Sequence, residues 1–153
     1  MSGDVFYRNN IMTAALEFYI KECRSFEDFE KRFSDEFLNE DSRIGNFLAD
    51  LLCKYDLKAS SVSEKACLHA SYVGNIINGK KNNPSRNALI CICFALGATE
   101  EELQYLLKYA GHQPLYVRRK RDVVIWFGAM KGEDLYTVND NLFKRGLEPL
   151  YDS

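Results

Sequence analysis

The side chains of this chain that could do chemistry are mostly cations in two short runs. Lys80-Lys81 is one run, and residues 118–121 (Arg-Arg-Lys-Arg) form the other. Ammonium and guanidinium groups bind phosphate oxygens whatever the sequence of bases. For Lys80-Lys81, a phosphate contact and a merely solvated turn are both open on the residues alone. For residues 118–121, a second phosphate contact, a partner site and a solvated linker all stay open.

No set of residues predicts catalysis. The chain has no glycine-rich phosphate loop, no Gly-x-Ser-x-Gly and no combination of His, Cys and Asp with supporting sequence. Paired acids such as Asp35-Glu36 are typical of solvated helix faces. We therefore expect a protein that is not an enzyme, has no catalytic residues and uses no cofactor.

The cysteines do not predict a metal site. Cys91 and Cys93 fall on one predicted helix, where residues two apart point about 200° apart. They cannot easily share a zinc ion, and neither His69 nor His112 completes a ligand spacing. We expect reduced structural thiols, with a redox role for Cys67 as the lesser alternative. The five cysteines are Cys23, Cys53, Cys67, Cys91 and Cys93.

Charge is distributed unevenly over the 153 residues, whose net charge is -2. Residues 1–42 carry five Lys/Arg against ten Asp/Glu, whereas residues 43–111 carry eight against six and residues 112–153 seven against six. The acidity therefore belongs to the N-terminal segment, and the rest is mildly basic. There is no signal peptide and no apolar stretch of membrane-spanning length, so we expect a cytoplasmic protein with no membrane partner.

The elements that must position these residues are helices almost everywhere. Apolar residues recur at three and four positions, and no strand alternation is present. In the N-terminal segment Phe26, Phe29, Phe33 and Phe37 form an apolar stripe after the cap residue Ser25. We expect the stripe to be buried, either within the chain or against a second copy or protein partner. The predicted helices cover residues 11–23, 26–37, 43–52, 60–66, 70–77, 86–96, 100–110, 121–130 and 135–145.

The segment 57–96 contains a recognisable pattern of residues: Val62, Ala66, Leu68, Ser71-Tyr72-Val73, Ile76, the turn 78–85, Leu89 and Phe94-Ala95-Leu96-Gly97. With this pattern the segment resembles the helix-turn-helix of the lambda-repressor/Cro (XRE-type) family. Further motifs lie outside this pattern, namely Asn83-Pro84-Ser85-Arg86, the run 106–111 (Leu-Leu-Lys-Tyr-Ala-Gly), Pro114-Leu115-Tyr116 and Gly-Leu-x-Pro-Leu at 146–150. With them, residues 42–150 resemble uncharacterised bacterial helix-turn-helix proteins with a C-terminal helical extension. The resemblance implies a lambda-repressor-like five-helix domain at 42–111, an acidic helical arm at 1–41 and an extension at 112–153 packed on the core.

By this resemblance the second helix of the motif would lie in the major groove of DNA and the first would brace it. Asn75 could pair with adenine, and the lysines would lie beside phosphates. Tyr72 could reach a base or sugar, or could pack on the brace helix. The implied DNA-binding residues are Ser60, Ser61, Ala70, Ser71, Tyr72, Asn75, Asn78, Lys80, Lys81 and Asn82.

Four residues depart from the family pattern. Ala59 stands where the family often has glutamine, and Ala70 stands where a long polar residue is common. The other two are Cys67 and Gly74. Cys67 stands in the turn, where the family usually has glycine, and Gly74 lies inside the second helix. A helical glycine costs roughly 1 kcal/mol relative to alanine unless packing requires it. The second helix also carries no Arg or Lys. We expect a dimeric, sequence-specific DNA-binding repressor, with an interaction adaptor that keeps the fold without binding DNA as the alternative.

Overall fold

The computed structural model describes residues 13–37 and 44–151. Every regular element in these ranges is helical, which confirms the all-α prediction. No helix in these ranges combines the length and the apolar character that crossing a membrane would require. The helices are α1 (Thr13–Glu22), α2 (Phe26–Phe33), α3 (Ile44–Tyr55), α4 (Ala59–Lys65), α5 (Tyr72–Ile77), α6 (Arg86–Leu96), α7 (Glu100–Tyr109), α8 (Lys120–Lys131) and α9 (Leu135–Lys144).

The chain divides into two compact units, whose described parts are residues 13–37 and 44–151. We call them the N-terminal unit and the C-terminal unit. The predicted boundary at residues 41–42 lies outside the described residues. Residues 44–111 and 112–151 belong to one and the same unit.

The N-terminal unit consists of α1, α2 and a 3₁₀ turn at Ser34–Glu36. Ser25 caps α2 as predicted, since its hydroxyl accepts the backbone N–H of Asp28 at 3.2 Å. The phenylalanine stripe is only partly buried: Phe29 is 9% exposed, whereas Phe26 is 62% and Phe37 45% exposed. Phe26 and Phe37 are therefore exposed within the described part of the chain, and burial of the stripe, within the chain or against a partner, stays a prediction.

The core of the C-terminal unit is built around α6. This helix is apolar nearly all round and contacts α3, α4, α7 and α9. Its predicted ends are confirmed: the Ser85 hydroxyl accepts the N–H of Ala88 at 3.1 Å, and Gly97 closes the helix with φ of +71°. Eight of its eleven residues are buried, which makes α6 the element on which the others pack.

The link between α7 and α8 is held against the core by side chains. His112 Nε2 lies 2.9 Å from the Pro84 carbonyl, and Arg86 donates to the carbonyls of Gln113 and Pro114 at 2.8 and 3.2 Å. The side chain of Gln104 pairs with both backbone groups of Leu115, at 3.0 and 2.6 Å. The proline-containing link is therefore an ordered part of the unit.

The last described residues are also tied to the core. Arg121 donates to the carbonyls of Glu148 and Pro149 at 2.7 and 3.2 Å. The Asn139 amide accepts the N–H of Leu150 at 2.5 Å and donates to the following carbonyl at 3.2 Å. Leu150 is buried beside α6, where the Cys91 thiol lies 3.9 Å from its carbonyl.

A buried carboxylate joins α3 to α7. Glu102 is 1% exposed and accepts hydrogen bonds from Lys54 Nζ at 2.6 Å, from the Tyr55 hydroxyl and from the N–H of Thr99 at 2.9 Å. Burial alone would raise the pKa of Glu102, but the hydrogen bonds from Lys54, Tyr55 and Thr99 outweigh it and hold the pKa below its usual value. The reciprocal bonds between Thr99 and Glu102 form a capping box at the start of α7.

Candidate nucleic-acid interface

Helices α4 and α5 and the turn between them carry most of the predicted binding residues. The prediction that the second helix begins at Ala70 is wrong, because α5 begins at Tyr72 and Ala70 and Ser71 lie in the turn. Four apolar residues that match the family pattern in and next to these two helices are fully or almost fully buried. These are Val62, Ala66, Val73 and Ile76.

A single serine fixes α5 against α4. The Ser63 side chain is fully buried, donates to the Ala59 carbonyl at 2.8 Å and accepts the N–H of Val73 at 3.0 Å. Val73 lies in the first turn of α5, where backbone N–H groups have no partner inside the helix. The hydroxyl thus satisfies a buried donor of one helix from the side chain of the other. The resemblance to the repressor family does not single out this residue.

Helix α3 supports α5 from the other side through a glycine. A Cβ built on Gly45 would lie 2.6 Å from the carbonyl oxygen of Ile76 and 2.8 Å from the Cα of Ile77. No side chain fits in that space, so glycine permits the backbones of α3 and α5 to approach closely. Serine on one side and glycine on the other therefore set the position of α5.

The turn between α4 and α5 contains a strained residue. Cys67 has φ of +61°, in the left-handed region that a residue with a Cβ rarely adopts. The family that the segment resembles usually has glycine at this position. In this chain the same tight turn contains a cysteine, which is exposed.

The outward side of α5 is polar and uncharged. Ser71, Asn75 and Asn78 recur at intervals of three and four residues on the side opposite the buried Val73 and Ile76. Ser71 and Asn78 are exposed and Asn75 is half-buried. Hydroxyl and amide groups of this size can hydrogen-bond to the edges of base pairs.

Gly74 lies in the middle of α5 along the sequence. A Cβ built on it would meet no atom within 4 Å, in contrast to Gly45 and to Gly128, whose Cβ would lie 2.5 Å from Val138. No packing of the described residues requires a glycine at position 74.

Two polar residues of the outward side are tied locally. His69 Nδ1 lies 2.8 Å from the Ser71 hydroxyl and accepts the N–H of Ser71 at 3.2 Å. The Asn78 side chain accepts the N–H of Lys80 at 3.1 Å, an Asx turn that shapes the loop after α5. These bonds hold the two side chains in defined positions.

Tyr72 is directed toward the start of α6. Burial is the main reason why the pKa of Tyr72 is raised, and a hydrogen bond from the backbone at Ser85 opposes the rise. Lys81 Nζ lies 5.1 Å from the centre of the Tyr72 ring, a cation–π distance. Tyr72 thus supports the lysine.

The remaining predicted residues lie at the surface on either side of α5. Ser60 and Ser61 are exposed in the first turn of α4, and Ala70, Lys80 and Asn82 are exposed as well. Neither Lys80 nor Lys81 takes part in an ion pair with any of residues 13–37 or 44–151. Their charge is free for an anionic partner.

The cysteines and acids do not form a further site in the described ranges. No group of three or more His, Cys, Asp or Glu side chains there could hold a metal ion. Burial raises the pKa of Cys91 to about 12 and that of Cys93 as well, which keeps both thiols protonated. Both are buried in α6, as expected for structural residues.

Comparison with known proteins gave no assignment, since no family model, no curated protein and no solved structure matches this chain. The geometry of α4, α5 and the loop that follows them must therefore carry any functional interpretation.

Proposed function

We propose that the C-terminal unit is a lambda-repressor-like helix-turn-helix domain that binds double-stranded DNA. The observation that carries the proposal is the combination on one surface of a rigidly braced helix with a polar outward side and a loop with two unpaired lysines. In the proposed complex α5 lies in the major groove and α4 crosses the backbone. The protein would then act as a sequence-specific transcriptional regulator of the XRE type.

The contacts divide by chemistry. Ser71 and Asn75 face base edges, and an asparagine amide matches the donor and acceptor of adenine. Lys80 and Lys81 contact phosphate, which gives affinity without sequence information. Ser60 and Ser61 lie where hydroxyl groups of the brace helix meet the backbone of the duplex. Because one short helix reads few base pairs, we propose a homodimer on an operator with two half-sites, acting as a repressor.

The test is fluorescence polarisation with DNA selected from a random pool by the full chain, over a series of salt concentrations. Lys80→Glu should weaken binding to every sequence and reduce the slope of log K against log salt, by about 0.9 for each phosphate that the variant no longer neutralises. Asn75→Ala should instead relax the choice of sequence. Lys108→Glu, an equal change of charge at an exposed position of α7, is the matched control.

The proposal is rejected if the chain shows no salt-sensitive binding to any DNA. It is also rejected if Lys80→Glu and Lys108→Glu behave alike, because the binding would then depend on net charge alone.

A second candidate is an interaction adaptor that retains the fold without binding DNA. It is favoured by the absence of Arg and Lys from α5 and by the exposure of Phe26 and Phe37 in the N-terminal unit. A protein partner bound through this Phe-rich helix would cover the two rings. Loss of partner binding in Phe26→Ser, with no DNA binding by the unchanged chain, would favour this candidate.

A further inference from the structure

The turn before α8 presents three consecutive cations to solvent. Arg118, Arg119 and Lys120 are all exposed, and none forms an ion pair within the described part of the chain. The fourth residue of the basic run differs, because Arg121 is half-buried and its guanidinium is occupied by backbone carbonyls and Asn87. The run thus consists of one structural arginine and three free cations.

Nothing nearby in the sequence compensates these three charges. Asp122, the acid that follows the run, is buried with 2% exposure. Its carboxylate is already engaged, by Arg86 at 3.1 Å and by the N–H of Tyr116 at 2.9 Å. The carboxylate of Asp122 therefore neutralises Arg86 and shapes the turn, while the three neighbouring cations remain unopposed.

The cations also lie at an unfavourable end of their helix. Arg119 occupies the N-cap position of α8 and Lys120 its first residue. The helix dipole places partial positive charge there, which disfavours cations and favours a bound anion. Placing three cations at this end opposes stability, so a binding role explains their position better than a role in folding.

Hydrogen bonds connect the segment 112–121 to the end of the loop that carries Lys80 and Lys81 and to the start of α6. That loop ends at Pro84, whose carbonyl lies 2.9 Å from His112 Nε2. Asn87, in the first turn of α6, accepts a hydrogen bond from Arg121 at 3.0 Å. Arg121, which follows the three cations, is therefore hydrogen-bonded to the first turn of α6, the helix that follows the loop carrying Lys80 and Lys81.

We propose that Arg118, Arg119 and Lys120 form a second phosphate-binding site that contacts the DNA backbone alongside Lys80 and Lys81. The inference rests on the proposed function and adds to it a contact from the C-terminal helices. A duplex is the ligand that fits, because it supplies consecutive phosphates to three adjacent cations, and arginine forks match phosphate oxygens in pairs. The site gives affinity and not sequence choice.

The test compares two triple variants of the full chain on the DNA selected by the unchanged protein. One variant carries Arg118→Ala, Arg119→Ala and Lys120→Ala. The matched control removes three exposed lysines elsewhere and changes the net charge equally. The control substitutions are Lys108→Ala, Lys131→Ala and Lys144→Ala. Thermal unfolding of both variants checks that each is folded.

The first variant should lose affinity for every sequence, and its salt slope should fall by about 2.7, or 0.9 for each phosphate contact. Its melting temperature should not fall, because the removed side chains are exposed and oppose the helix dipole. A slope equal to that of the control would overturn the inference. If Lys80→Glu still weakens DNA binding as expected, the proposed function stands without this second site. Absence of DNA binding by the unmodified chain would overturn both the proposed function and the second phosphate-binding site.

Discussion

Replacing Ser63 by alanine removes a side chain that bonds α4 to the start of α5. The substitution deletes a hydroxyl that is fully buried, with partners at 2.8 and 3.0 Å. The Ala59 carbonyl keeps its place within α4, but the N–H of Val73 is left buried and without a partner. We expect the C-terminal unit to be destabilised and the position of α5 to be less well defined.

The magnitude follows from this unsatisfied donor. Leaving one buried N–H without a partner costs about 1–3 kcal/mol, and the missing hydroxyl leaves only a small void. For a unit of roughly 110 residues, each kcal/mol lowers the melting temperature by about 4 °C, so a decrease of about 4–12 °C is expected. In Ser61→Ala, the matched control on the same helix, an exposed hydroxyl is removed and the change should stay within about 0.5 kcal/mol.

The measurement is urea unfolding of the full chain followed by circular dichroism, with the two variants side by side. Hydrogen exchange at the Val73 amide gives the local readout, since its protection depends on the Ser63 hydroxyl. If Ser63→Ala and Ser61→Ala unfold at the same urea concentration, and protection at Val73 is unchanged, the bracing role given to Ser63 is refuted.

Three further outcomes are expected. Gly74→Ala should stabilise the chain by up to about 1 kcal/mol in urea unfolding, because the added Cβ meets no atom within 4 Å; destabilisation would show that glycine is required there. Cys67→Gly should stabilise it by about 0.5–1 kcal/mol, since it relieves a φ of +61°, and no gain in melting temperature would contradict the strain. Because the pKa of Glu102 is lowered in the folded chain, its contribution is full above the usual value of 4.5 and is lost as the pH falls through the folded pKa. The free energy of unfolding, measured between pH 7 and pH 3, should therefore fall more steeply for the unchanged chain than for Glu102→Gln. Parallel curves for the two proteins would contradict a stabilising role of the ionised Glu102 side chain.

The helices and their ends are predictable where the signal is local. Ser25, Ser85 and Thr99 each cap the helix that follows, and Gly97 ends α6 in the left-handed conformation. Each of these signals needs only a hydrogen bond or a dihedral angle within four residues. The start of α5 differs from the prediction because His69 accepts the N–H of Ser71, a local alternative that keeps this segment in a turn.

The supporting contacts of the candidate site are not predictable, because they join residues far apart in sequence. Ser63 reads as one polar residue among several in α4, and only the crossing with α5 places its hydroxyl against Val73. Tyr72 turns toward Ser85 for the same reason. The roles of Arg86 and Arg121 depend on a link and a terminal segment that lie some 27 residues further along the chain. Helical periodicity predicts the face of the helix on which a residue lies, but it does not predict which distant residue that side chain contacts.

Because α6 packs against the last described residues, the C-terminal unit completes its folding only after those residues have been synthesised. Leu150 is buried beside Cys91, about 60 residues earlier in the chain. At roughly 5–20 residues per second, a ribosome needs about 3–12 s to add those residues. During that interval the surface of α6 that Leu150 covers remains open on the nascent chain. Chaperones that shield apolar surface would bind this protein during those seconds.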